Sequence, residues 1–332
     1  MSPCPRPQSR NDKSGYALDS SNSGFHKTSC RRPNIAYLKG TKGSLRIVTA
    51  VAGIDVGGTK CLGVLFEGGE IVNSVRRPTP HADQLVSTLA EIARELGSYK
   101  TLGIGVPGLI TPTGVVRESP NLTGANELDL RTLLQKELGH VIDVENDATC
   151  AAHAEWQYGA GRGATDMWMV TLGTGIGGGF VSGSKLQRGS HGFAGEIGHM
   201  IVESHGILCP CGQRGCWERY ASGSGLATIA GGERGEEVIA RAVAGDEQAL
   251  GYLDTFGKWV AIGLVNLTNI TDPNVIVIGG GLAEAADSVM PHIKNWFKKL
   301  LYAPENRDHP ELRVAQLGES AGAIGAALLS AL

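Results

Sequence analysis

The chain has 332 residues, 42% of them hydrophobic and 19% charged, with a formal net charge of −3. That length suffices for two packed domains, and the near-neutral balance leaves no basic footprint for nucleic acid or an anionic membrane surface. No apolar run reaches a membrane span, no signal-peptide pattern is present, and the seven cysteines are odd in number with three clustered at metal-like spacing, so the expected setting is the cytoplasm.

Residues 1–47 are rich in Ser, Pro and basic side chains, carry Asp12 and Asp19 as their only acids, and lack apolar periodicity. They read as a disordered tail, with a transit peptide or a misassigned start as the other readings. The folded pattern opens with VTAVAGIDVGGTKCLGVLFEGGEIV. Its β-branched runs flank DVGGTK, which predicts strand, turn and strand, then a third short strand over Glu70–Val75. DQLVSTLAEIARELG places Leu85, Leu89, Ile92 and Leu96 at helical spacing, with Asp83 as N-cap and Gly97 ending the helix. TLGIGVPGLI reads as a buried strand closing in a Pro-Gly turn, and VIDVENDATCAAHAEWQYG as a strand that becomes a helix at Asp147.

From Asp166 the pattern restarts. MWMVTLGTGIGGGFVSGSKL is again strand, glycine turn, strand, a weak internal repeat of the first hairpin. Helical segments follow from about Gly223 to Asn269. PNVIVIGGGLAEAADSVMPHIKNWFKKLL is a buried strand, a glycine turn and a helix, and ESAGAIGAALLSAL is a closing helix of small residues. The expected class is α/β in two lobes, with a hinge near Asn146–Asp147.

The spacing G-x-G-x-x-G occurs at Gly173, Gly175, Gly178 and at Gly103, Gly105, Gly108. Neither context is that of a dinucleotide turn, which must run from strand into helix; one runs from strand into strand and the other contains Pro107. Two glycine hairpins remain, one per lobe: Gly57 and Gly58 with Thr59, after Asp55, and Gly173 and Gly175 with Thr174. Side-chain-free turns let backbone N–H groups approach an anion, and two such turns facing each other suit a polyphosphate. Each alone is equally a plain hairpin turn.

Cys209, Cys211 and Cys216 offer three soft ligands, and His199 is the best-placed fourth for a tetrahedral zinc site with no open position, hence structural. Reduced buried cysteines are the alternative. Cys61 and Cys150 read as small core residues, and Cys4 and Cys30 fall in the tail.

Taken together, DVGGTK (55–60), GVPG (105–108), ENDA (145–148), LGTGIGGG (172–179), EIGH (196–199) and CPCGQRGCWE (209–218) resemble the ROK family of sugar kinases, which groups bacterial glucokinases, fructokinases, N-acyl-hexosamine kinases and related repressors. The resemblance runs from about residue 50 to the C-terminus and is nearest to the ATP-dependent bacterial glucokinases. It implies the actin-like, hexokinase-like pair of α/β lobes, with ATP and sugar in the cleft. Residues 48–145, joined by the C-terminal helix 319–332, would form the first lobe, and residues 146–318, with a zinc loop at 199–216, the second. It also implies a homodimer or higher homo-oligomer.

The resemblance assigns roles to individual residues. Asp147 becomes the general base for a hexose 6-hydroxyl, although in isolation it reads as a helix N-cap. Asn121 and Asn146 supply amides to sugar hydroxyls. Glu196 and Glu218 accept sugar hydroxyls, and His199 binds zinc through one ring nitrogen while the other faces the sugar. Mg²⁺ accompanies ATP, approached by Asp55. Lys60 pairs with phosphate or is a surface lysine, and Gly279, Gly280 and Gly281 lie against the adenosine. Glucose is the expected substrate, with fructose, mannose and N-acyl-hexosamines as alternatives and polyphosphate as another donor. A sugar-responsive repressor is the reading from a different class; residues 1–47 are too short and too rich in Pro and Ser for its winged helix-turn-helix.

Overall fold

The computed structural model describes residues 49–119, 122 and 124–332, and before them the strands β1 (Tyr37–Lys39) and β2 (Leu45–Ile47). These two pair antiparallel, with Tyr37 opposite Ile47. Part of the stretch read as a tail therefore forms an antiparallel pair of short strands. The rest of that reading, and the sugar contact expected of Asn121, lie outside the described residues.

β3 (Val51–Val56), β4 (Lys60–Glu67) and β5 (Glu70–Pro78) form the antiparallel meander that the β-branched runs predict. β5 outruns its expected end at Val75 because pairing with β4, not burial, defines it; Val75 is its only buried residue. α1 (Ala82–Glu95) buries Leu85, Leu89 and Ile92. His81 holds the N-cap position, so Asp83 is not the cap but sits in the first turn, where its charge suits the helix dipole.

β6 (Leu102–Val106) is wholly buried and parallel to β3. The short strands β7 (Leu109–Ile110), β8 (Val115–Glu118) and β9 (Leu128–Asp129) make a small separate sheet, and Asp129 caps α2 (Leu130–Leu138) by accepting from Thr132 N at 3.1 Å. β10 (Ile142–Asn146) then pairs parallel with β6, giving the order β10–β6–β3–β4–β5. α3 (Asp147–Tyr158) follows without a break.

The second sheet repeats this design. β11 (Met167–Leu172), β12 (Ile176–Ser182) and β13 (Lys185–Gln187) form a meander. A long excursion carries α4 (Glu218–Ala221), α5 (Gly223–Ile229), α6 (Gly235–Val243) and α7 (Glu247–Thr271). β14 (Val275–Gly279), α8 (Ala286–Leu300) and β15 (Glu311–Val314) complete the order β13–β12–β11–β14–β15, with β14 parallel to both of its neighbours. α9 (Ala321–Leu329) ends the fold. Each sheet is thus three antiparallel strands continued by two parallel ones, and the faint repeat in sequence is a repeat in structure.

The helix that follows the last strand of each sheet packs on the other sheet. α3 lies on β11 and β12, α9 lies on β3 and β6, and the two helices lie against each other. The approach leaves no room for side chains. A Cβ at Gly53 would fall 2.0 Å from the Ala323 carbonyl oxygen, and one at Gly103 would fall 1.9 Å from that of Ala326. On the other side, Cβ atoms at Gly177 and Gly179 would meet Ala148 and Ala152 at 2.8 and 2.7 Å. Those two glycines make space for a helix.

Glu155 of α3 is fully buried at this crossing. Its carboxyl group accepts the backbone N–H of Ala160 at 2.7 Å, Gln316 at 2.9 Å and Leu317 at 2.7 Å, tying the end of α3 to the segment that leads into α9. Among the described residues no helix is long and apolar enough to cross a membrane.

Candidate functional site

The C-terminal ends of β3, β6 and β10 lie side by side, where open α/β sheets present ligand-binding groups. Register places Asp55 opposite Gly105, and Gly105 opposite Glu145. A Cβ at Gly105 would lie 3.4 Å from Cys150 Sγ, 3.5 Å from Asp55 Oδ1 and 3.6 Å from Asp147 Cα, so the bare strand brings the two aspartates together. Asn146, not Asp147, caps α3: its Oδ1 accepts from Thr149 N at 2.9 Å, and its Nδ2 donates to Gly108 O at 3.1 Å. This leaves one N–H of the Asn146 amide for a ligand. Asp147 is the first residue of the helix, and its Oδ1 accepts from Ala148 N at 2.8 Å.

Burial dominates the electrostatics. It pushes Asp55 up to about 8, with the nearby Asp147 adding to the effect and Lys60 opposing it. Asp147 is also raised above its ordinary 3.8, because burial outweighs the backbone hydrogen bond. Near neutral pH Asp55 therefore keeps its proton. Glu196 is raised chiefly by burial, with Asp147 and Glu218 raising it further and His199 lowering it. A continuous run of interacting groups thus links Lys60, Asp55, Asp147, Glu196, Glu218 and His199.

The first glycine hairpin is tight: Gly57 N donates to Lys60 O at 2.9 Å, and Thr79 Oγ1 donates to Gly57 O at 2.6 Å. Gly58 and Thr59 are exposed. Lys60 pairs with Glu319, which also pairs with Arg76. In the second sheet, Gly173 O accepts from Gly223 N at 2.8 Å, and Thr174 O accepts from Ser224 Oγ at 3.0 Å, which holds the Gly173–Thr174–Gly175 turn to the start of α5. Gly279 pairs in register with Thr171, and a Cβ at Gly280 would lie 2.5 Å from Leu172 O, so Gly279–Gly281 adjoins that turn. A small apolar hollow lined by Leu172, Ile278, Leu282, Met290 and Val314 flanks it.

The thiol loop is a folded hairpin. Leu208 bridges to Arg214, and Ile201 to Cys216. Trp217, fully buried, anchors it to α7 by donating its Nε1–H to Trp259 O at 2.8 Å. His199, Cys209, Cys211 and Cys216 place their ligand atoms within 4.8 Å of one another. Cys211 Sγ and Cys216 Sγ are 3.6 Å apart, and Cys209 Sγ is 3.9 Å from His199 Nδ1. Tetrahedral zinc with sulfur at about 2.3 Å sets ligand atoms about 3.8 Å apart, so the donor set and spacing fit that ion. Nδ1 is the nitrogen turned to the thiols, leaving Nε2 for another partner. Glu218 spans the loop and the glycine turn: Cys209 Sγ donates to its Oε1 at 3.3 Å, and Ile176 N lies 3.4 Å from its Oε2.

Sequence reasoning did not single out Glu145 or Arg188. They pair with each other directly beside the Asn146–Asp147 turn. Glu145 stands in the ENDA motif and was within reach. Arg188 follows a short polar strand and carries no local signal.

Comparison with known proteins agrees with this arrangement. Residues 51–331 match the ROK family. A glucokinase of Streptomyces coelicolor is 33% identical over 306 residues, covering 84% of this chain and 96% of the relative. An N-acetyl-D-glucosamine kinase of Haemophilus influenzae is 32% identical, covering 83% and 98%. The crystal structure of a ROK family glucokinase from Streptomyces griseus in complex with glucose and AMPPNP superimposes with a TM-score of 0.78 at 32% identity, covering 85% of this chain and 99% of that one. The paired α/β architecture is thus the actin-like, hexokinase-like ATPase fold. With its two repeated sheets, the carboxyl cluster at their edges and the Cys/His hairpin all falling inside the matched span, the chain belongs to the ROK family.

Proposed function

We propose that the protein is an ATP-dependent hexose kinase that phosphorylates the 6-hydroxyl of glucose, with Asp147 as general base. The observation that carries this reading is the gathering around the buried Asp147 of two carboxylate acceptors, Glu196 and Glu218, and the His199 imidazole, groups suited to sugar hydroxyls. The hexose O6 bonds to the γ-phosphorus, the bond from that phosphorus to the β,γ-bridging oxygen breaks with its electron pair leaving on ADP, and the hydroxyl proton passes to the Asp147 carboxylate. Asn146 orients the sugar through its remaining amide N–H, and Asn121 is proposed to do the same.

The turns at Gly57–Lys60 and Gly173–Gly175 are proposed to take the phosphates, and Gly279–Gly281 to lie against the adenosine. Mg²⁺, approached by Asp55, neutralises the phosphate charge when ATP is bound. The two sheets with their helices form the two lobes of the cleft. The thiol loop is proposed to hold structural zinc that fixes His199 and Glu218. A cytoplasmic setting and self-association fit the family reading. N-acetyl-D-glucosamine is the second substrate reading, supported by the similarity to the kinase of Haemophilus influenzae.

A coupled assay over glucose, mannose, fructose and N-acetyl-hexosamines, each with ATP, GTP and polyphosphate, tests this reading. Glucose with ATP is expected to give the highest kcat/KM. Preference for an N-acetyl-hexosamine would move the assignment to the second substrate, and no turnover of any sugar would end it.

The metal assignment has its own consequence. Protein purified without chelator should contain about one zinc per chain, as one four-ligand site requires. Cys211→Ser should lose the metal and raise the KM for sugar, since the same loop carries His199 and Glu218. Elemental analysis finding no zinc in the native protein would remove the site.

A further inference from the structure

Glu145 stands one residue before Asn146 on β10, the edge strand of the first sheet, and Arg188 one residue after β13, the edge strand of the second. Arg188 Nε and Glu145 Oε2 form an ion pair, and the glutamate side chain is only 14% exposed. The other oxygen, Oε1, accepts from Asn146 N at 3.1 Å, one peptide before the one that leads into Asp147. At its backbone, Arg188 O accepts from Ala194 N at 3.1 Å, two residues before Glu196. The loop so formed is pressed onto the first half of the molecule: a Cβ at Gly192 would lie 2.4 Å from Ile110 O. One arginine therefore touches, through its side chain, the strand that delivers Asp147 and, through its backbone, the loop that delivers Glu196.

We propose that Arg188 and Glu145 are a positioning pair that sets the Asn146–Asp147 turn against the Glu196 loop, and that the arginine offsets a glutamate charge beside the base. The inference rests on the kinase reading above. Asp147 is held by the backbone N–H of its own turn, with Oδ1 accepting from Ala148 N, so its placement depends on the turn that carries it. A displacement of about 1 Å at such a group can cost on the order of 10²-fold in rate.

Several groups surround Asp147. Asp55 faces it from β3, with Lys60 of β4 acting on Asp55 in turn. Glu196 approaches from the loop before His199, and Glu218 lies beside Glu196. Cys150, on Asp147's own helix, has Glu145, Asp55, Asp147 and Arg188 around it. His153, one turn further along α3, is kept neutral by burial and by Arg188, with a pKa lowered to about 4. Removing the arginine charge leaves Glu145 unpaired beside the base. That raises the pKa of Asp147, and the acid limb of kcat/KM moves to higher pH. Removing the glutamate charge leaves the arginine unpaired, and the limb moves to lower pH.

The test is the pH profile of a small set of variants on the best hexose. Arg188→Met is expected to lower kcat by about 10–100-fold, to raise KM by less, and to shift the acid limb upward. Glu145→Gln is expected to shift it downward, and the double variant to return it towards the wild-type position. Arg188→Lys, which keeps the charge but not the fork geometry, is expected to restore the limb without restoring kcat fully. A pair that serves folding alone would lower the melting temperature in all variants and leave the limb unmoved, which overturns the inference. Should Arg188→Met fail to fold, Glu145→Gln decides the question: a downward shift of its limb supports the inference and an unmoved limb overturns it. A wild-type protein inactive on every hexose would overturn the kinase reading, whereas an active wild type with unmoved limbs in the variants overturns this inference alone.

Discussion

Asp147→Asn should bind hexose with near-wild-type affinity and turn it over about 10²–10⁴-fold more slowly, the usual contribution of a general base. The amide keeps the size of the side chain and the acceptor for Ala148 N. It cannot take the hydroxyl proton. In the wild type the raised pKa of Asp147 fixes the sign of the pH dependence. The base must be ionised to act, so the rate is full above its pKa and is lost as pH falls through it. The acid limb therefore lies above the ordinary carboxylate range and should vanish from the residual activity of the variant. Steady-state kinetics from about pH 5 to 9, spanning the raised carboxyl range, check this together with sugar binding by calorimetry. Retention of most of the wild-type kcat by the Asp147→Asn variant would remove Asp147 from the role.

Glu155→Ala should cost about 3–5 kcal/mol of stability, because the buried Ala160 N–H and the partly buried N–H groups of Gln316 and Leu317 lose their acceptor, at about 1–3 kcal/mol for a buried group left unpaired and less where water reaches it. For a chain of this size the melting temperature should fall by roughly 6–10 °C. Glu155→Gln, which keeps one acceptor oxygen, should fall between the two. The side chain contacts Ala160, Gln316 and Leu317 rather than any group at the carboxyl cluster, so kcat at a temperature where the variant is folded should change little. Thermal unfolding followed by circular dichroism measures the effect. A melting temperature within about 2 °C of wild type, less than 1 kcal/mol on this scale, would mean that the crossing is held by its apolar contacts alone.

The elements that could be read in advance were those with a period. The hairpins around DVGGTK and LGTGIGGG, the buried β6, β10 and β14, and the amphipathic α1 announce themselves through alternation or a 3.6-residue stripe. β7–β9, β13 and β15 are too short or too exposed to carry one. The carboxyl cluster was legible only through the resemblance of ENDA and EIGH to the motifs of the family, since in isolation Asp147 reads as a helix N-cap. Arg188 and Glu155 were not, since their partners lie 43 and up to 162 residues away and only the packed chain brings them together. The run of glycines in LGTGIGGG was read for one purpose and serves two. Gly173 and Gly175 shape a turn, while Gly177 and Gly179 give way to α3, and a linear string does not separate a turn from a groove.

The crossing of α3 and α9 means that neither sheet owns the helix its chain builds next. Cutting the chain in the turn after α3 would strand that helix away from β11 and β12, and leave β3 and β6 without α9, so neither fragment would be a folding unit on its own. The two sheets should accordingly unfold in a single cooperative transition. The same interlock limits how they can move. Any relative movement of the two sheets has to carry α3 and α9 with it, because each helix is seated on the sheet that its own stretch of chain does not build.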